Sequence, residues 1–127
     1  MDRIRSSIPQ VDRGNYYKGL LVLIRRDRVI SPQERELMIQ VGQALDFDLR
    51  FCENAIDDLL DNPHIKAEPI TFSDEETARS FLHDAILIAL SDGKLHPREL
   101  SWLKTVADAN GLNDSWLSNE IARIMQH

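Results

Sequence analysis

The sequence predicts an all-α protein, and three observations carry that prediction. Apolar residues recur at helical spacing in six stretches. Residues that start and stop helices separate those stretches. No segment alternates apolar and polar with period two for long, so no strand is expected. The chain has 127 residues, enough for one domain with its own core. A compact bundle of six to seven helices is the expected architecture.

Residues 1–11 read as a flexible leader with Pro9 and few apolar anchors, and residues 12–127 as the helical domain. A first helix is expected from about Asp12 to Arg26, with Tyr17, Leu20, Leu21 and Ile24 on one face. Ser31-Pro32-Gln33-Glu34 starts a second helix. Serine caps, proline suits the first helical position, and glutamate reaches back to the cap amide. Leu37, Met38, Val41 and Leu45 form its apolar stripe. Asp48 caps a third helix bearing Cys52, Ala55, Ile56, Leu59 and Leu60.

Residues 62–72 form a polar linker with Pro63 and Pro69. Ser73-Asp74-Glu75-Glu76 is a second capping box. The fourth helix, which this box starts, carries Phe81, Leu82, Ala85, Ile86, Leu87, Ile88, Ala89 and Leu90, is apolar nearly all round and belongs at the centre of the fold. The fifth starts at Pro97, carries Leu100, Leu103, Val106 and Ala107, and stops at Gly111. Asn113 caps a sixth, with Trp116, Leu117, Ile121, Ile124 and Met125 apolar.

The second half repeats the first at an offset of 65 residues. Asp27 falls on Asp92, Pro32 on Pro97, Glu34 on Glu99, Val41 on Val106, and Ile56 on Ile121. Apolar positions match more widely, as Leu23 with Ile88, Met38 with Leu103, and Phe51 with Trp116. Two pseudo-symmetric repeats, about 12–61 and 73–127, are expected to pack about an approximate two-fold axis.

Net charge is −6, but residues 1–28 carry +4 and the remainder −10. A basic end on an acidic body orients partners electrostatically. The acidic body argues against nucleic acid, whose phosphates it would repel. The longest apolar runs, Leu20–Ile24 and Ala85–Leu90, are far short of the ~20 residues of a bilayer span. No signal-peptide pattern stands at the N-terminus, so the cytoplasm is the expected setting. The single cysteine, Cys52, excludes an internal disulfide and a four-cysteine zinc site. His64, His83, His96 and His127 are too scattered for a zinc constellation. No glycine-rich phosphate loop occurs.

The repeat concentrates on a turn. Asp92-Gly93-Lys94-Leu95-His96-Pro97-Arg98-Glu99 places an acid at a helix end and a glutamate seven residues later in the next helix. Glycine permits the sharp turn, which lets Asp92 and Glu99 face one small volume. Two carboxylates with backbone carbonyls suit a hard cation: calcium, magnesium or manganese. The string matches the second half of an EF-hand loop. The earlier ligand positions are Ile88 and Leu90, so it is not an EF-hand, and any ion is held weakly. Glu34 and Glu99 equally suit simple capping.

Ser91-Asp92-Gly93 through Glu99, with Asp27 through Glu34 in the first half, resembles the TerB family of tellurite-resistance proteins. The central helical domain of membrane-anchored J-domain co-chaperones is similar. The resemblance covers the chain from about Lys18. It implies a pseudo-two-fold bundle, acids of both turns (Asp27, Glu34, Asp92, Glu99) as a metal site, a stress or tellurite-response setting, and no enzymatic activity. One departure matters: Arg28 replaces the glycine of the first turn, beside Arg25 and Arg26. Three guanidiniums compete with a cation for Asp27, or form a basic interaction patch.

The function expected is therefore a non-enzymatic helical module that binds a divalent cation weakly and docks another protein, or itself as a homo-oligomer. The alternatives are an interaction module whose acids only cap helices, and a metal-dependent hydrolase with water activated on the acids.

Overall fold

A computed structural model describes residues 8–25, 30–61 and 70–126, with residues 25, 59–61 and 92 described through their backbone alone. The described residues are all-helical and contain no strand. Six α-helices are named in chain order: α1 Gln10–Arg25, α2 Pro32–Ala44, α3 Leu49–Asp61, α4 Glu75–Ala89, α5 Pro97–Ala109 and α6 Asp114–Met125. A 3-10 turn, Leu90–Asp92, extends α4. No helix among the described residues is long and apolar enough to cross a membrane.

The local signals place most boundaries. Ser31 Oγ accepts the Glu34 amide at 3.0 Å, and the Ser31 amide donates to Glu34 Oε1 at 2.9 Å, closing the expected capping box. Asp48 Oδ1 accepts the Phe51 amide at 2.7 Å and Asn113 Oδ1 the Trp116 amide at 2.7 Å. Gly111, at φ 76°, follows α5 in the left-handed region that ends helices.

Two starts differ from expectation. α1 begins at Gln10, two residues before Asp12, because Ile8 is buried and the Pro9 carbonyl accepts the Asp12 amide at 2.9 Å. Residues 8–11 thus belong to the folded body, and residues 1–7 lie outside the described residues. The α4 cap is Asp74, whose Oδ1 accepts the Thr77 amide at 2.7 Å. Ser73 instead donates its amide and hydroxyl to the carboxylate of Asp12 on α1. A buried carboxylate from another helix outcompetes the local cap for that serine.

α1 and α4 pack together at the centre, and each reaches three further helices: α1 meets α2, α3 and α5, while α4 meets α5, α6 and α2. α4 is central, as its apolar circumference requires, with Phe81, Leu82, Ala85, Ile86 and Ile88 all buried. α1 is buried on more than its expected face. Tyr16 and Leu23 are fully buried beside Tyr17, Leu20 and Ile24, while Leu21 is only partly covered. Close approach of the two helices depends on Gly19. A Cβ there would come within 2.7 Å of the Phe81 ring and 3.0 Å of Ile70 Cδ1.

The linker is partly structured. Asn110 donates to the Ile70 carbonyl at 2.8 Å and accepts the Phe72 amide at 3.0 Å, so residues 70–72 are strapped to the end of α5. This brings Phe72 into an aromatic cluster with Tyr16 and Phe81, and Phe81 also contacts Trp102 at 6.1 Å between centroids. Residues 62–69 lie outside the described residues.

α6 is held differently from expectation. Of its apolar residues only Leu117 is fully buried, and Met125 is 66% exposed. The helix is joined to α4 by His83 Nδ1 and Glu120 Oε2 at 3.1 Å, and Arg123 Nε donates to Glu120 Oε1 at 2.8 Å. Burial alone would raise the Glu120 carboxyl. Hydrogen bonds from Arg123 and His83, with their positive charge, outweigh it and hold Glu120 below the usual glutamate range. A depressed carboxyl contributes stability above its ordinary value near 4.5 that fades as pH falls through its folded value. Urea unfolding followed from about pH 7 to pH 3 is therefore expected to lose less stability in Glu120→Gln than in the unmodified protein. Equal losses in both would contradict this.

Candidate functional site: the paired acid turns

Glu34 and Glu99 hold the same place in their helices, the third residue after the cap. Glu34 is 1% exposed and Glu99 fully buried. Each uses Oε1 to accept its own cap amide, from Ser31 at 2.9 Å and from His96 at 3.0 Å. The helix start fixes this geometry: proline at the first helical position leaves no amide to satisfy there, and the third-position glutamate reaches back. His96 is accordingly the cap position of α5.

These glutamates belong to a wider pattern that the sequence reading missed. Among the described residues the buried polar side chains are Asp12, Glu34, Thr77, Asp84 and Glu99. Four of the five are third residues of a helix, in α1, α2, α4 and α5. Buried polar groups demand partners, and a helix N-terminus supplies unpaired amides and a positive dipole end for them. The fifth, Asp84, sits mid-helix in α4 and accepts the Tyr16 hydroxyl at 2.6 Å. An acid inside the most apolar stretch of the chain was the signal that could have found it.

The second acid turn is described except for the Asp92 side chain. Leu90–Asp92 tightens into a 3-10 turn, and Gly93 takes φ 103°, a conformation that glycine adopts without strain. The Gly93 amide donates to the Leu90 carbonyl at 2.9 Å, and Ser91 Oγ to the Ile88 carbonyl at 2.7 Å. Ile88 is buried in the core, in keeping with the missing EF-hand ligands. α2, which carries Glu34, packs against this turn of the other half. The fold thus sets an acid-bearing helix of the first half beside the acid turn of the second.

Asp27, Arg26 and Arg28 lie outside the described residues, and Arg25 and Asp92 are described through their backbone alone. Neither the expected basic patch nor the Asp27 and Asp92 carboxylates therefore enter the described geometry. Among the described residues no group of three His, Cys, Asp or Glu side chains is placed to hold a metal ion. The donor chemistry of Glu34 and Glu99 fits a hard cation, though the capping bonds commit Oε1 of each. An ion could draw on Oε2 at most, one oxygen per glutamate.

Cys52 is core, as its place on the α3 stripe implies. It packs beside Tyr17 and over Gly42, where an added Cβ would collide with Cys52 Sγ and crowd the Tyr17 ring at 3.0 Å. Burial, and then the Cys52 thiol beside it, push the Tyr17 phenol well above its ordinary range, so it stays protonated. Trp102 is buried, with its ring against Phe81.

No family model, no curated protein and no solved structure matches this chain.

Proposed function

We propose that this chain is a non-enzymatic, TerB-like helical module, built from two pseudo-symmetric repeats, that holds a divalent cation weakly at its acid turns and docks a partner protein. The helix boundaries support the duplication: α2 and α5 begin and end 65 residues apart, at Pro32 and Pro97 and at Ala44 and Ala109. The helix contacts are the same set when the halves are exchanged. One observation carries the ion reading. Two glutamates are buried at equivalent helix starts, and the helix of one packs against the turn that carries Asp92. Buried carboxylates are costly unless charge or hydrogen bonds offset them, and a hard cation is one source of such charge.

A second reading has its own support. The cap-amide bonds to Glu34 and Glu99 satisfy a structural role without any ion. In that case the module is an interaction domain whose acids only cap helices.

Calorimetric titration of chelator-treated protein with calcium, manganese, magnesium and zinc separates the two. The ion reading expects binding of calcium or manganese in about the 0.1–1 mM range. Asp92→Asn with Glu99→Gln should abolish it. The amide oxygen of the substituted side chain in Glu99→Gln can still accept the His96 amide, so the fold is retained while the charge is lost. Heat absent for every metal, or unchanged in the double variant, refutes the ion reading and leaves the capping one.

A further inference from the structure

Two corresponding pairs of surface positions set the halves apart in how a ring is covered. Trp116, at the start of α6, is partly buried, and the Arg79 guanidinium of α4 lies 5.8 Å from its ring centroid. Sixty-five residues earlier stand Phe51 on α3 and Gly14 on α1. Phe51 is 49% exposed, and a Cβ at Gly14 would meet nothing within 4 Å. Among the described residues no guanidinium covers the Phe51 ring. It rests against Phe47 at 5.0 Å and Tyr17 at 6.5 Å between centroids, which leaves its outer face open. Val11, on the same stripe of α1 as Gly14, is 77% exposed.

The charge of this surface says what would cover it. Residues 46–61 contain six carboxylates and one arginine. Arg13 pairs with Asp46 at 3.0 Å and Arg35 with Asp57 at 3.2 Å. Asp58, seven residues after Phe51 and so on its stripe, is exposed, as is Glu53. The α3 side of this surface is acidic, while α1 contributes Arg13 and the exposed Lys18. An open aromatic ring beside exposed carboxylates selects a cation that stacks, and arginine does so better than lysine.

We propose that the α1–α3 surface docks a partner protein through a segment carrying arginine beside an apolar residue. The guanidinium stacks on Phe51 as Arg79 lies over Trp116, and the exposed carboxylates of Asp48 and Asp58 on the same side of α3 attract it. The apolar side chain lies over Gly14 against Val11. The inference rests on the helix-by-helix correspondence of the two halves proposed above and not on ion binding.

Amide-resolved NMR titration in excess chelator tests it, with an amphipathic helical peptide of about 16 residues bearing arginine and leucine on one face as probe. Shift changes are expected in residues 11–18 and 47–58. A glutamate-for-arginine peptide should bind at least tenfold more weakly. Phe51→Ala, at a half-exposed site, should weaken binding at least fivefold without unfolding the protein. Gly14→Arg supplies the missing cover from within the chain, so it should block the peptide. It should also raise the melting temperature by about 3–6 °C, since arginine favours a helix over glycine. Absent shifts, shifts confined to α4 and α6, or undiminished binding to Gly14→Arg would overturn the proposal. Concentration-dependent shifts without peptide that Gly14→Arg removes would assign the face to a second copy of this chain, and overturn it too. If Gly14→Arg gains no more than Gly14→Ala, which adds helix propensity without a guanidinium, the correspondence of the halves fails; a further gain without peptide binding overturns the docking alone.

Discussion

Replacing Phe81 by alanine is expected to lower unfolding stability by about 3–5 kcal/mol, the range for removing a fully buried aromatic side chain. Phe81 is fully buried on α4 and stands edge-on to Tyr16 at 5.4 Å, tilted to Phe72 at 5.1 Å and near-perpendicular to Trp102. The ring also faces the bare backbone of Gly19, so α1, α4, α5 and the residues 70–72 all meet on it. Few neighbours can move into the vacated volume without leaving another contact, and poor relaxation places the cost at the upper end. Urea denaturation gives the measurement. A loss below about 1 kcal/mol, the typical value for any point substitution, would show that this cluster is not the centre of the core.

The second large effect is electrostatic. Tyr16→Phe removes the hydroxyl that donates to Asp84 Oδ2 at 2.6 Å, while keeping the ring and its contacts. Both residues are buried, Tyr16 fully and Asp84 at 4% exposure. Hydrogen bonds to charged groups contribute about 1.5–3 kcal/mol, and a buried acid that loses a donor carries the desolvation cost. A stability loss in that range is expected from thermal or urea unfolding at neutral pH. Pairing the change with Asp84→Asn in a double-mutant cycle isolates the bond. Additive losses would mean that the two side chains do not couple.

Much of the local structure was legible in the sequence. Ser31-Pro32-Gln33-Glu34, Asp48, Asn113 and Gly111 marked helix ends correctly, because a cap is satisfied by atoms within four residues of itself. The centrality of α4 followed from its apolar circumference, since such a helix has no face to give to water. Glu34 and Glu99 were found through their spacing, and their capping role is local as well.

What the sequence could not decide depends on which helix lies opposite. Ser73 was expected to cap α4, yet it donates to Asp12 across the bundle and leaves the cap to Asp74. Asp84 and Asp12 are polar letters in the chain, and only the packing of α1 on α4 buries them. Met125 continues the apolar spacing of α6 but stays exposed, because no helix among the described residues is placed to cover the end of that stripe. Trp116 and Phe51 are equivalent in spacing, and one is covered by Arg79 while the other is half open. Caps, turns and amphipathic period are encoded by neighbours in the chain, so the sequence by itself determined the helices and the turn at Gly93. Burial of individual polar groups, and the pairing of the Glu34 helix with the Asp92 turn, arise between residues far apart in the chain, so only the tertiary structure decided them.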